Sequence, residues 1–232
     1  MNLLKLLRSA TDDAPVADHG TLLSPLQRLC ERTGSDQGGF FVDEHGAFTG
    51  AMSLARQWGQ VHRHGACGVV VASGGRFDGL LESMATDFCR VPFNDLAALE
   101  AAVDSRTVLV VLEPIQRGAV VSPASQAYML GVEKLCRALN ILLVLNEARG
   151  AFSQNGRLLC EDSYGVNADI VVLGDHSNRS PRSSALLARG QACISPIEDL
   201  PGCVQLPASP QPARASGISR PQRELAPRGL MA

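Results

Sequence analysis

Short apolar runs alternate with polar segments of helical period along most of this chain. Three runs stand out, each closed by polar residues: VLVVLEPIQ (108–116), ILLVLNEARG (141–150) and DIVVLGDH (169–176). Unbroken runs of valine, isoleucine and leucine of this length mark strands buried on both faces. Between the first two lies SQAYMLGVEKLCRALN (125–140), with Met129, Val132, Leu135, Cys136 and Leu139 at helical spacing. A helix is predicted over 124–139, ended by Asn140 as a left-handed C-cap. The stretch from Val108 to Asp175 therefore predicts strand, crossover helix, strand and a further strand. In such sheets ligands bind beyond the strand ends, which singles out Glu113, Asn146 and Asp175.

The flanking pattern extends the same architecture. Ser24 and Pro25 read as N-cap and first turn of a helix through LQRLCERT, followed by a loop over 34–39. GFFV (39–42) reads as a short strand, DEHGAFTG (43–50) as a polar, glycine-bearing connection, and AMSLARQWGQVHR (51–63) as an amphipathic helix. The run Gly68–Ala72 predicts a doubly buried strand, SGGRFDG (73–79) a glycine-rich loop, and Asn94 or Asp95 the cap of a helix over LAALEAAV (96–103). SALLAR (184–189) completes the sheet. The expected fold class is α/β, a mainly parallel sheet with helices on both faces. Residues 1–20 read as a loose leader, 21–199 as the domain, and 200–232 as a disordered tail rich in proline and arginine that cannot bury enough surface to order itself.

Composition narrows the partners more than the chemistry. A formal net charge of -2 over 232 residues gives no electrostatic reason to expect nucleic acid, and no stretch approaches a membrane span. The seven cysteines form no CxxC pair, and reduced thiols in a cytoplasmic protein are expected. His62, His64 and Cys67 lack a second cluster that would make a zinc site. Asp175, His176 and Ser177 lack the GxSxG elbow of a hydrolase. Arg-rich NRSPRSS (178–184) reads as a solvated loop. Among 21 basic residues only Lys5 and Lys134 are lysines.

Taken together, VLVVLEPIQ, GVEKLCRALNILLVLNEARG and YGVNADIVVLGDH resemble the large domain of class III pyridoxal-phosphate aminotransferases, the family of ornithine and acetylornithine transaminases. CRVPFNDLAALEAAV (89–103), SGGRFDG and the segment from QRLCERT to SLARQWG extend the resemblance to about residues 21–190. It implies the large-domain fold of that enzyme class without its C-terminal small domain, and active sites built at a homodimer interface. Glu113, Gln116, Glu147 and Gly156 match the family, and Phe77 matches the aromatic that stacks on the cofactor ring, with Asp78 in place of a histidine.

The departures fall on the chemistry. Asp175 stands where the family has its Schiff-base lysine, and a carboxylate forms no imine. Asn146 stands where a carboxylate holds the proton on the pyridine nitrogen. VDEHGAF (42–48) replaces the phosphate-binding run, and RGAV (117–120) a glycine-rich one. The expectation is a non-catalytic, aminotransferase-like protein with vestigial cofactor positions at Phe77 and Asn146 and no cofactor. Its expected partner is a second copy or an intact aminotransferase paralogue. The alternative is a pyridoxal-phosphate-dependent aminotransferase, moving an amino group from an ornithine-like or other amine donor to a 2-oxo acid, with residual or partner-completed activity.

Overall fold

The computed structural model describes residues 24–75, 81, 87–117, 121–147, 158–174 and 184–204. Its elements in chain order are α1 (Pro25–Thr33), β1 (Gln37–Phe41), α2 (Glu44–His62), β2 (Gly68–Ala72), β3 (Phe88–Val91) and α3 (Leu96–Ala102). There follow β4 (Thr107–Leu112), β5 (Ile115–Arg117), β6 (Val121–Pro123), α4 (Gln126–Leu139), β7 (Leu142–Asn146), α5 (Glu161–Tyr164), β8 (Ile170–Gly174), β9 (Ser184–Ala188) and β10 (Cys203–Val204). Eight strands form one sheet in the order β10-β1-β9-β8-β7-β4-β2-β3, and β5 and β6 pair as a separate hairpin. The block β3-β2-β4-β7-β8 is parallel throughout, and β9 runs antiparallel to both β8 and β1. The α/β class with a mainly parallel sheet is therefore observed.

Alternate side chains of the central strands enter two separate cores. Val110, Leu112, Leu143, Leu145 and Val171 face α1, α3 and α4, whose Leu29, Leu99, Met129 and Val132 cover them. Leu109, Val111, Leu142, Val144, Ile170 and Val172 face α2, which buries Phe48, Met52, Leu54 and Trp58. Both faces of β4, β7 and β8 are thus dry, as unbroken apolar runs require. At roughly 25 cal/mol per Å² of apolar surface removed from water, this layered burial is the dominant favourable term in the fold.

Helix ends follow their sequence signals. Ser24 accepts from Gln27 N while the Gln27 side chain accepts from Ser24 N, a reciprocal capping box in front of Pro25. Asn140 closes α4 at φ 49°, as its C-cap role predicts. Ser125 supplies the N-cap, so the helix begins at Gln126 rather than 124. Leu139 is 44% exposed, and the buried face is instead completed at the other end by Tyr128.

Other boundaries differ from the sequence reading for physical reasons. DEHGAFTG is not a connection. Asp43 caps α2 by accepting from Gly46 N at 2.8 Å, so the helix starts at Glu44. Gly50 is there for proximity: a Cβ on it would stand 3.0 Å from the Phe41 ring. β1 begins two residues before GFFV, at Gln37, and Val42 lies outside it, 66% exposed. β3 and the β5–β6 hairpin carry too short a pattern to be read from periodicity. The sheet also continues past Leu200, because Phe40 and Phe41 pair with Val204 and Cys203. The leader at 1–20 and residues 205–232 of the expected tail lie outside the described residues, and no disulfide joins the seven cysteines. No helix among the described residues is long and apolar enough to cross a membrane.

Gly59 shows how closely α2 is held. A Cβ there would collide with the carbonyl oxygen of Ala66 and lie 3.0 Å from Val108 Cγ1. Gly59→Ala is expected to cost about 2 kcal/mol through overpacking against rigid backbone, read as a lowered urea midpoint with an unchanged denaturant slope.

Candidate functional site

Beyond their carboxyl ends, the parallel strands continue the face that packs on α2. Period-two alternation carries Leu109 and Val111 on to Glu113, Leu142 and Val144 on to Asn146, and Val69 and Val71 on to Ser73. The N-terminus of α2 reaches the same edge, because it follows β1 after two residues. This is the crevice where layered α/β sheets place ligands, and a helix N-terminus there is the ordinary site for an anion.

Side chains of this protein occupy that position. Asn146 is buried, and its Nδ2 donates to Glu113 Oε1 at 3.1 Å and to Glu44 Oε1 at 3.2 Å. Two acceptor carboxylates fix the amide orientation, since the amide oxygen could not serve either of them. Glu44 is the first residue of α2, while the preceding Asp43 takes a first-turn amide with its own carboxylate. Gly75 abuts Glu113, whose Oε1 would lie 3.3 Å from a Cβ there. The turn after β2 is held by Gln116, which donates to Ser73 O at 2.9 Å beside Gly74 at φ 85°. Sequence reasoning placed Glu113, Asn146 and Asp175 at this edge, the last outside the described residues, and had Gln116 only as a match to the family. It placed Asp43 and Glu44 in the run that replaces the phosphate-binding loop, as charges that would repel a phosphate. It gave Glu44 no partner, because its contact with Asn146 depends on where α2 begins.

A second polar cluster lies on the opposite face of β7. Glu147 is fully buried and accepts from Cys160 N at 2.5 Å and Glu161 N at 2.6 Å. Burial raises its pKa, the neighbouring Glu161 adds to the rise, and the two backbone donors oppose it; the net result is about 8. Glu161 is raised by burial and held back by Arg189, which it meets at 2.6 Å, and it also accepts from Ala168 N at 2.9 Å. The Arg189 guanidinium further donates to Ala168 O at 2.9 Å and Thr33 O at 2.8 Å. These groups tie α1, β7, α5 and β9 together and face away from the crevice. They are structural. Nothing in the sequence pairs Glu161 with Arg189.

The remaining sequence candidates divide cleanly. Phe77, Asp78, Gly156, Asp175, His176 and Ser177 lie outside the described residues, as does Lys5. Lys134 is exposed on α4, about 12 Å along the helix axis from its N-terminus. His62 packs against Trp58 with ring centroids 5.3 Å apart, and no group of three potential metal ligands occurs among the described residues.

Comparison with known proteins places the fold in a family. The class-III aminotransferase family profile matches residues 40–178. The chain belongs to the class III aminotransferases. Acetylornithine aminotransferase 2 of Bordetella pertussis is 31% identical over 183 residues, covering 72% of this chain and 46% of the relative. Succinylornithine transaminase/acetylornithine aminotransferase of Pseudomonas aeruginosa is 48% identical over 81 residues, 35% of this chain and 20% of that one. Ornithine δ-aminotransferase of Plasmodium falciparum superposes with a TM-score of 0.65 at 26% identity, over 82% of this chain and 50% of its own. The ornithine aminotransferase of Toxoplasma gondii, with PLP partly occupying its active site, shares the fold at a TM-score of 0.65 and 22% identity, over 82% of this chain and 50% of its own. The chain spans about half the length of the curated relatives it matches.

Pyridoxal phosphate, the cofactor this family implies, does not fit the described residues of the crevice. The amide of Gly46 that would meet a phosphate is taken by Asp43, and Glu44 reaches across to Asn146. Asn146 uses both amide hydrogens on carboxylates and has no charge with which to hold a proton on a pyridine nitrogen. The arrangement can hold and orient carboxylates through a neutral donor. Among the described residues of the crevice it supplies no amine that could form an imine.

Glu147 gives the fold a pH dependence of definite sign. Its native pKa of about 8 lies above the ordinary carboxylate value of 4.5, so the native state keeps a proton that the unfolded chain releases. That stabilisation is complete below the ordinary value and is lost as pH rises toward 8. Urea unfolding at stepped pH is expected to show stability falling by up to ~1.4 kcal/mol per pH unit across this window. Glu147→Gln is expected to flatten the slope to less than half.

Proposed function

We propose that this protein is a non-catalytic class III aminotransferase relative that works as an interaction or regulatory partner, by self-association or by pairing with an intact aminotransferase. The observation that carries the reading is the Asn146 amide shared between Glu44 and Glu113 at the edge where the family's chemistry takes place. An amide engaged with two carboxylates replaces the group that would make a bound pyridine ring an electron sink. The sequence adds Asp175 at the position matching the Schiff-base lysine, and the only other amines are Lys5 and the exposed, mid-helical Lys134. The partner half of the reading is supported by Val42, a large apolar side chain 66% exposed beside the crevice, where family resemblance puts a subunit interface.

The test has two parts. Purified full-length protein mixed with pyridoxal phosphate and reduced with borohydride is expected to yield no pyridoxyl-labelled peptide and no aldimine absorbance. A labelled peptide containing Lys134 or Lys5 would overturn the non-catalytic reading in favour of an active aminotransferase. Light scattering of the protein alone, and co-elution with an acetylornithine aminotransferase from the same source, is expected to show a homodimer or a mixed complex. A monomer in both experiments removes the partner role.

A further inference from the structure

We infer that the ligand crevice of this protein is closed from within: the Asp43 carboxylate takes a helix amide that an anion would otherwise use, and the Glu44 carboxylate ties the start of α2 to Asn146 across the crevice. The inference rests on the non-catalytic reading for its context, but its geometry is independent of it.

The argument begins with topology. α2 enters the crevice from β1, whereas Asn146 and Glu113 arrive on β7 and β4, and β9 and β8 lie between β1 and β7 in the sheet. No direct backbone ladder therefore joins β1, which leads into α2, to β7. In a sheet of this kind a ligand bound at the helix N-terminus makes that connection, since its anionic group takes helix amides while its body contacts the strand ends. Here the connection is made by protein atoms alone. Glu44 Oε1 lies 3.2 Å from Asn146 Nδ2, and the same nitrogen reaches Glu113 Oε1 at 3.1 Å. The anion position at the helix start is filled in the same manner, Asp43 Oδ1 accepting from Gly46 N at 2.8 Å.

The two carboxylates have distinct parts. Asp43 satisfies a first-turn amide and adds negative charge where the helix dipole favours it. Glu44, one residue on, turns inward, is only partly exposed, and joins α2 to the sheet. Asn146 makes the approach of Glu44 and Glu113 possible, because a neutral side chain with two N–H donors can serve two carboxylates at once. An acidic residue at 146 would instead put three carboxylates in contact. Asn146 and Glu44 are thus one device, and the fold needs no small molecule to hold its carboxyl edge together.

A double-mutant cycle on the full-length protein, read by thermal unfolding, tests the tie. Glu44→Ala and Asn146→Ala are each expected to lower the midpoint by about 2–5 °C, and the double variant by clearly less than the sum, because both remove the same contact. Additive losses overturn the tie. A second measurement tests the occupancy. Inorganic phosphate at millimolar concentration is expected to leave the wild-type midpoint unchanged and to raise that of the Asp43→Gly/Glu44→Ala variant, which has no side-chain acceptor at the cap and whose helix start is freed for an anion. A phosphate-dependent rise in the wild type, or none in the variant, overturns the claim that these carboxylates fill the anion position. Neither readout involves aldimine formation, so the closed crevice and the non-catalytic reading can fail separately.

Discussion

Strands β4, β7 and β8 are buried on both faces, and the rest of the structure depends on that constraint. A dry strand has no room for a polar side chain within its length, so polar groups collect at its ends. The apolar faces demand a helix layer on each side, which α2 provides on one and α1, α3 and α4 on the other. Both polar clusters follow. Asn146 and Glu147 are consecutive, and the alternation of the strand sends one toward α2 and the other into the opposite layer. One step in sequence separates the candidate ligand crevice from a buried structural carboxylate.

Much of this was legible in the sequence because it is local. Unbroken valine and leucine runs announced the central strands, Ser24-Pro25 and Asn140 announced helix ends, and the strand-end position of Asn146 and Glu113 followed from the strands themselves. The start of α2 was not legible, for a specific reason. Gly46 and Gly50 look like loop residues, yet they lie within a helix, and Gly50 runs so close to Phe41 and Leu186 that a side chain there would crowd them. Misplacing that boundary hid the contact between Glu44 and Asn146. The Glu161–Arg189 pair was hidden more deeply, since it joins residues 28 positions apart (189 − 161) that no motif links.

Asn146 also changes meaning when its neighbours are known. By resemblance alone it is a catalytic carboxylate lost. In the folded chain it is the donor that lets two acidic side chains share one buried spot, and a carboxylate restored there would meet Glu44 and Glu113 rather than an empty place. On the proposed non-catalytic reading, these strand-end residues have become mutually dependent in place of a ligand. Fold membership and chemistry separate at this point: the sheet, helices and strand order are those of class III aminotransferases, while the groups at the strand ends support one another.

The sheet order has a further consequence for how the protein comes to be folded. β1 is the first described strand in the chain, but it sits between β9 and β10, and Gln37 pairs with Ala188. During synthesis it must wait until nearly all of the described chain has emerged before it meets a partner. The parallel block β2-β4-β7-β8 can assemble meanwhile from shorter-range contacts. The strand that leads into α2, and so positions the mouth of the crevice, is therefore among the last to be paired, which leaves the crevice as the youngest part of the finished molecule.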